Sequence, residues 1–234
     1  MSANQYVLVH GMRRTRSTLA RWGEEPWPVV RSWLLGAFAI SVALLTAVVA
    51  IGSAVNPDLG FNLIPRRPHG VEAARVLEVM GRNSLVLALH AFACIAGFIA
   101  GATLPLSAAR RKGLSRVIHE KARPIAFAWV IFVTCFSLIT QALGLGITGS
   151  TLAYGLGISV PTLVLTTLPH ALLELTAVFL PLAAWTLASR RGDWDLLLAA
   201  TFVTVTMAIP MLLVAATWEV YVWPHILRAV SPFS

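Results

Sequence analysis

Five long apolar runs dominate this sequence, and they restrict its fold more than any other feature. A helix needs about 20 predominantly apolar residues to cross the hydrocarbon core of a bilayer. The runs occupy residues 32–55, 83–106, 124–143, a fourth stretch that starts between 160 and 169 and ends near 189, and residues 196–218. Only 12% of the residues are charged, which excludes an ordinary soluble domain. We therefore predict an all-α, polytopic transmembrane helical bundle with about five spans.

Residues 1–31 form a polar, basic segment ahead of the bundle, which we assign to residues 32–234. The first apolar run is longer than the hydrophobic part of a secretory signal, so we interpret it as a retained span. Two interpretations of the N-terminal segment stay open. Residues 15–24 have the pattern of an interfacial amphipathic helix, and the alternative is a flexible cytoplasmic tail.

Positive charge is distributed unevenly along the chain. The net charge of +8 would point to nucleic acid in a soluble domain, but the cytoplasmic loops of membrane proteins also collect Lys and Arg. With five spans, thirteen of the eighteen Lys and Arg residues fall on one side, in segments 1–31, 110–123 and 190–195. This bias predicts a cytoplasmic N-terminus, with the lipid bilayer as a partner and no nucleic acid.

Residues 144–157, GLGITGSTLAYGLG, join the third and fourth spans without a single charge. Irregular backbone is tolerated at membrane depth when it is buried in protein or lines a cavity. Two interpretations therefore stay open for residues 144–160: a re-entrant segment packed inside the bundle, and a loop that lies on the membrane surface.

His170 and Glu174 lie four residues apart in the apolar segment TLPHALLELTAVF. An acidic residue at the bilayer centre costs very roughly 2.5–3.5 kcal/mol, so it is expected to find partners inside the bundle. The spacing places both side chains on one helix face. A rise of about 1.5 Å per residue places further polar residues at a similar depth, in the outer half of the membrane. This predicted cluster consists of His170, Glu174, Asn83, His90, Gln141 and Glu219.

Within this cluster, we expect His170 to be the nearest partner of Glu174, with Gln141 and His90 in reach. Three roles stay open: hydrogen bonds that hold the helices together, a hydrated cavity that binds or passes a solute, and catalysis. The sequence lacks a His-Glu-x-x-His zinc motif, a Gly-x-Ser-x-Gly elbow and a Walker-type loop. We therefore predict no enzymatic activity, no cofactor and no metal. Cys94 and Cys135 lie inside apolar runs and are predicted to be buried free thiols.

Small residues recur at four-residue spacing in the second span, at Ala93, Gly97 and Gly101. Such a face lets two helix backbones approach closely. We favour a contact within the chain over a dimer interface, although a homo-oligomer stays open.

Three segments, taken in order, resemble the stage II sporulation protein M family. LPHALLEL, residues 168–175, is similar to its Pro-His-Gly-x-x-Glu motif, with Ala171 in place of the Gly and Thr176 in place of a frequent Pro. Residues 82–101 resemble its second span, which begins with Asn and carries two glycines. Residues 213–224 resemble its last span, in which a Glu is followed by a Pro five residues later, here Glu219 and Pro224.

The resemblance implies a five-span protein of the bacterial cytoplasmic membrane with its N-terminus inside. It also implies a non-enzymatic scaffold that recruits or organises envelope or cell-wall-remodelling proteins. The alternative that the residues themselves leave open is a small transporter or channel subunit that uses the outer-half polar cluster.

Overall fold

The structure, a computed structural model, describes residues 3–58, 72–103 and 114–232, and in these ranges only short turns interrupt the helices. The α-helices of these ranges are α1 (Ala3–Glu24), α2 (Trp27–Ala54), α3 (Glu72–Phe98), α4 (Leu114–Gly155), α5 (Val160–Arg191), α6 (Leu197–Tyr221) and α7 (Trp223–Val230). A π-helical turn, Ile99–Thr103, extends α3, and a 3-10 turn, Trp194–Leu196, precedes α6. The all-α prediction is confirmed.

Helices α2 to α6 are each long and apolar enough to span a membrane, which confirms the predicted number of spans for the described ranges. Large apolar side chains cover their outer surface. Phe132 and Phe136 on α4 are each 59% exposed, and Leu165 on α5 is 68% exposed. Such a surface is stable only in an apolar environment, so the chain is a multi-pass membrane protein.

Helix α3 begins at Glu72, well before the predicted start at residue 83. Arg75 and Arg82 therefore belong to the helix and not to a loop. Long basic side chains near a helix end can extend toward the interface, so their charge does not end the helix. The end of the predicted second span at residues 104–106 and the start of the basic segment at 110–113 lie outside the described residues.

The prediction for residues 144–160 is wrong in both of its forms. Helix α4 continues through the glycines to Gly155, and only residues 156–159 separate it from α5. The glycines are explained by packing: a Cβ built on Gly146 would lie 2.7 Å from Cγ2 of Ile51 on α2. The side chain of Ser159 then caps α5, since its hydroxyl accepts a 3.2 Å hydrogen bond from the Thr162 amide.

Helix α5 is the centre of the bundle. In its most hydrophobic window 61% of the residues are buried, against 22–33% in the other four spans, so it is the helix that the others enclose. It packs against α2, α3 and α6, and every residue from 175 to 185 is buried. A helix that is apolar and buried on all sides marks the core.

Different helices contact the two ends of the bundle, α7 at one end and α1 at the other. At the α7 end, Ser231 donates a 2.8 Å hydrogen bond to the Leu156 carbonyl, and Ser150 donates one of 3.1 Å to Val55 at the end of α2. At the α1 end, Trp22 packs edge-on against Trp33, and Arg14 forms a 2.6 Å ion pair with Asp195. The N-terminal segment is thus helical over residues 3–24 and contacts the bundle, which differs from the flexible-tail interpretation.

Candidate functional site

A cavity of about 440 Å³ lies at the α7 end, between α2, α3, α4, α5 and the junction of α6 and α7. This volume falls within the usual range for small-molecule sites. Its polar lining comprises Arg82, Asn83, Thr148, Thr167, His170, Glu174 and Glu219. Its apolar lining includes Leu45, Val48, Val86, Leu152 and Leu163, and Trp223 closes one side. We call this site the α7-end cavity.

Glu174 is held by a residue of another helix. The side-chain amide of Asn83 on α3 donates a hydrogen bond to its carboxylate, and Arg82 and Glu219 lie close enough to act on its charge. The prediction that His170 is its nearest partner is therefore wrong. The four-residue spacing fixes only the shared face of α5, whereas the partner is selected by the helix that this face meets.

His170 instead faces an aromatic ring. Its side chain is only 5% exposed, and its ring lies 5.5 Å from the Trp223 ring, centre to centre. The indole N–H of Trp223 donates a 3.4 Å hydrogen bond to the Thr166 hydroxyl, which holds the ring over the cavity. Nδ1 of His170 is buried without a hydrogen-bond partner among the described residues. Such a group is rare in folded proteins and calls for an explanation.

Glu219 and Pro224 belong to the junction of the last two helices. Glu219 lines the cavity from the end of α6, within the electrostatic influence of Arg82 and Arg75. Pro224 stands in the first turn of α7, where its missing N–H costs nothing. Helix α6 therefore ends and α7 starts in the interval between Glu219 and Pro224, and this break places Trp223 beside His170.

His90 and Gln141 are not part of the site, contrary to prediction. His90 is fully buried below the cavity, where its Nδ1 donates a 3.2 Å hydrogen bond to the Val178 carbonyl. This bond joins α3 to α5 one turn before Pro181. Among the described residues, Gln141 bonds only within α4, to the carbonyl and hydroxyl of Ser137 at 3.2 and 3.0 Å.

The cavity has a closed floor. Below Glu174, residues 175–185 of α5 are all buried, and Phe179 and Leu180 have no exposed surface. The Phe179 ring packs edge-on against His90 at 5.3 Å, and the Cys94 thiol donates a 3.0 Å hydrogen bond to the Pro181 carbonyl. Cys94 is buried as predicted, whereas Cys135 on α4 is exposed, contrary to prediction. The polar lining therefore ends at Glu174, and the described residues directly beneath it on α5 are buried.

The small residues of the second span pack within the chain. A Cβ on Gly97 would lie 2.6 Å from the Trp185 indole nitrogen of α5, and one on Gly101 would overlap the Trp194 ring. Ala93 packs against the same hydrophobic core. Small residues in this row let α3 approach α5 and the turn before α6.

Sequence reasoning missed two residues of the site, Arg82 and Trp223. Both carried a signal: Arg82 directly precedes Asn83 in an apolar run, and Trp223 directly precedes Pro224 after the last span. Within the described ranges, no group of three His, Cys, Asp or Glu residues is arranged to hold a metal ion.

Comparison with known proteins adds nothing to this geometry, since no family model, no curated protein and no solved structure matches the chain.

Proposed function

We propose that the chain is a non-enzymatic scaffold of the bacterial cytoplasmic membrane that recruits or organises envelope or cell-wall-remodelling proteins. In this proposal the α1 end lies in the cytoplasm and the α7 end faces the outside, where such partners act. The charge bias of the sequence supports this orientation. The resemblance of residues 82–101, 168–175 and 213–224 to the stage II sporulation protein M family supports the scaffold role.

The observation that carries the proposal is the closed floor of the α7-end cavity. A conduit needs polar, water-accessible residues that continue past the middle of the membrane. Here the charged lining stops at Glu174, and eleven consecutive buried residues of α5 follow it. A site that is open on one side only suits binding better than passage.

Site-specific photo-cross-linking in intact cells tests the scaffold role. A photoreactive amino acid replaces His225, which is exposed on α7, and in a matched control it replaces Phe132, which is exposed on α4. We expect a discrete protein adduct from position 225 and only lipid adducts from position 132. Lipid adducts alone at both positions would contradict a scaffold that docks its partner at the α7 end.

A transporter or channel subunit is the second candidate, and one specific observation favours it. Arg82, Glu174, Glu219 and the unpartnered His170 share one membrane-embedded cavity, as ionisable residues of a transport pathway do. Purified protein in liposomes tests this candidate through proton or cation flux. Flux that is abolished by Glu174→Gln without loss of thermal stability would favour the transporter over the scaffold.

A further inference from the structure

The α7-end cavity combines opposite charges with an apolar wall, and this combination points to a ligand. We propose that it binds the zwitterionic headgroup of an aminophospholipid, with the start of an acyl chain against the apolar wall. The inference rests on the cavity being a closed binding site, as proposed above, and is independent of any protein partner.

The carboxylates provide the site for an ammonium group. Glu174 reaches the cavity from α5 and Glu219 from α6, close enough to repel each other. Two like charges that are partly withdrawn from water are costly unless a counter-charge is nearby. Asn83 already bonds Glu174 but carries no charge, and in the cavity lining Arg82 is one positive charge against two carboxylates. A primary ammonium can donate hydrogen bonds to both carboxylates and neutralise them together.

Arg82 provides the site for the phosphate. Its side chain lines the same cavity and is exposed, so a ligand that enters from the membrane side can reach its guanidinium. A guanidinium can bind a phosphate through two parallel hydrogen bonds. Positive Arg82 and the negative pair therefore complement the two charges of one headgroup.

His170 adds a buried polar side chain to the same cavity. It lines the cavity, is 95% buried, and has an Nδ1 atom without a partner among the described residues. Leaving such an atom unpaired costs about 1–3 kcal/mol, which a headgroup oxygen or ammonium would recover. The Trp223 ring packs against the His170 ring, with 5.5 Å between the ring centres.

The apolar wall indicates a lipid and not a water-soluble zwitterion. Leu45, Val48 and Val86 of two spanning helices line the cavity beside the charged groups. The volume of about 440 Å³ is too small for a whole phospholipid, so the rest of the molecule would remain in the bilayer. The ligand is thus held by its headgroup at the edge of the bundle.

Native mass spectrometry of the full-length protein in detergent tests the inference. The probes are phosphatidylethanolamine and phosphatidylglycerol with identical acyl chains. We expect one retained phosphatidylethanolamine per chain, bound roughly tenfold more tightly than phosphatidylglycerol, which is about 1.4 kcal/mol. Glu219→Gln and His170→Phe should each remove most of this preference, whereas Glu24→Gln at the α1 end should leave it unchanged.

Two further measurements keep the result interpretable. Unfolding temperatures without added lipid show whether each variant is folded, and its residual phosphatidylglycerol binding serves as an internal reference.

Free phosphoethanolamine serves as the soluble form of the headgroup, and we expect it to compete weakly. Equal binding of both lipids, preference for phosphatidylglycerol, or full competition by phosphoethanolamine would each overturn the aminophospholipid assignment. None of these outcomes would bear on protein adducts from position 225, so the scaffold proposal is tested separately.

Discussion

At the scale of single residues, Glu174 shows how an acidic side chain is accommodated in an apolar helix. Its partner Asn83 comes from α3, and the pair joins two spans through one hydrogen bond. We expect Glu174→Gln to preserve thermal stability, because an amide oxygen still accepts the Asn83 bond. We expect Glu174→Leu to be destabilising by about 1–3 kcal/mol, since it leaves the Asn83 amide without its acceptor.

Thermal unfolding in detergent, together with complementation of a deletion strain, measures both effects. A structural role predicts that the Gln variant is stable and active and that the Leu variant is impaired in both assays. A Gln variant that is stable but inactive would show instead that the negative charge or an exchangeable proton is required.

His90 gives a second prediction at this scale. His90→Leu should destabilise the protein by about 0.5–1.5 kcal/mol, because it removes a buried hydrogen bond between α3 and the Val178 carbonyl of α5. Gln141→Leu should have a smaller effect, because the Gln141 amide bonds only to Ser137 of its own helix. If both variants lose the same unfolding temperature, the contrast between the interhelical bond of His90 and the intrahelical bonds of Gln141 is wrong.

The sequence predicted the depth of these polar residues but not their direction. Hydropathy and a fixed rise per residue place Asn83, His90 and Gln141 along the membrane normal. They do not determine how each helix is rotated about its axis, which is why only Asn83 reaches the site. Glu174 was singled out by its cost in lipid and lines the cavity, whereas its partner depends on packing between helices far apart in sequence.

At the scale of helices, the small residues of α3 determine how closely it approaches its neighbours. Gly97→Ala should be destabilising by about 1–3 kcal/mol, because the new methyl group would enter the space of the Trp185 indole. Gly81→Ala is the matched control on the same helix: no atom of the described part of the chain lies within 4 Å of its Cβ position. This control should be neutral or stabilising by up to about 1 kcal/mol.

Unfolding midpoints of the two alanine variants, measured in one detergent, test the assignment. If Gly97→Ala is as stable as Gly81→Ala, the close approach of α3 to α5 is wrong. Size-exclusion chromatography of the same samples separates this outcome from a dimer interface, which would predict a change in oligomeric state in the Gly97 variant.

Contacts between helices also explain why hydropathy located the spans but misplaced some helix ends. Glycines at 144–155 favour a loop in an isolated sequence, but Gly146 is required by its contact with α2, so the helix continues. Arg75 and Arg82 also favour a loop, because charged residues are costly inside a membrane span, yet both lie on α3. Helix α7 was missed because it is too short and too polar for a spanning pattern.

At the scale of the whole molecule, the orientation is open to a direct test. In a background with Cys94→Ser and Cys135→Ser, we expect a membrane-impermeant thiol reagent to label Val230→Cys in intact cells and to leave Glu25→Cys unlabelled. Both positions are exposed, at the α7 end and after α1 respectively. After cell lysis both should react, which controls for accessibility. Labelling of position 25 alone in intact cells would invert the proposed topology.

The central position of α5 also constrains how the bundle is made. Of the five spanning helices, α5 has the lowest mean hydropathy, and it carries Glu174 together with two internal prolines. Such a segment partitions into lipid poorly by itself. Helices α2 and α3 leave the ribosome before it and supply most of the surface that covers it, and α6 follows directly. Integration of α5 by the translocon is therefore expected to depend on spans already synthesised, so the order of synthesis is itself part of how this membrane protein folds.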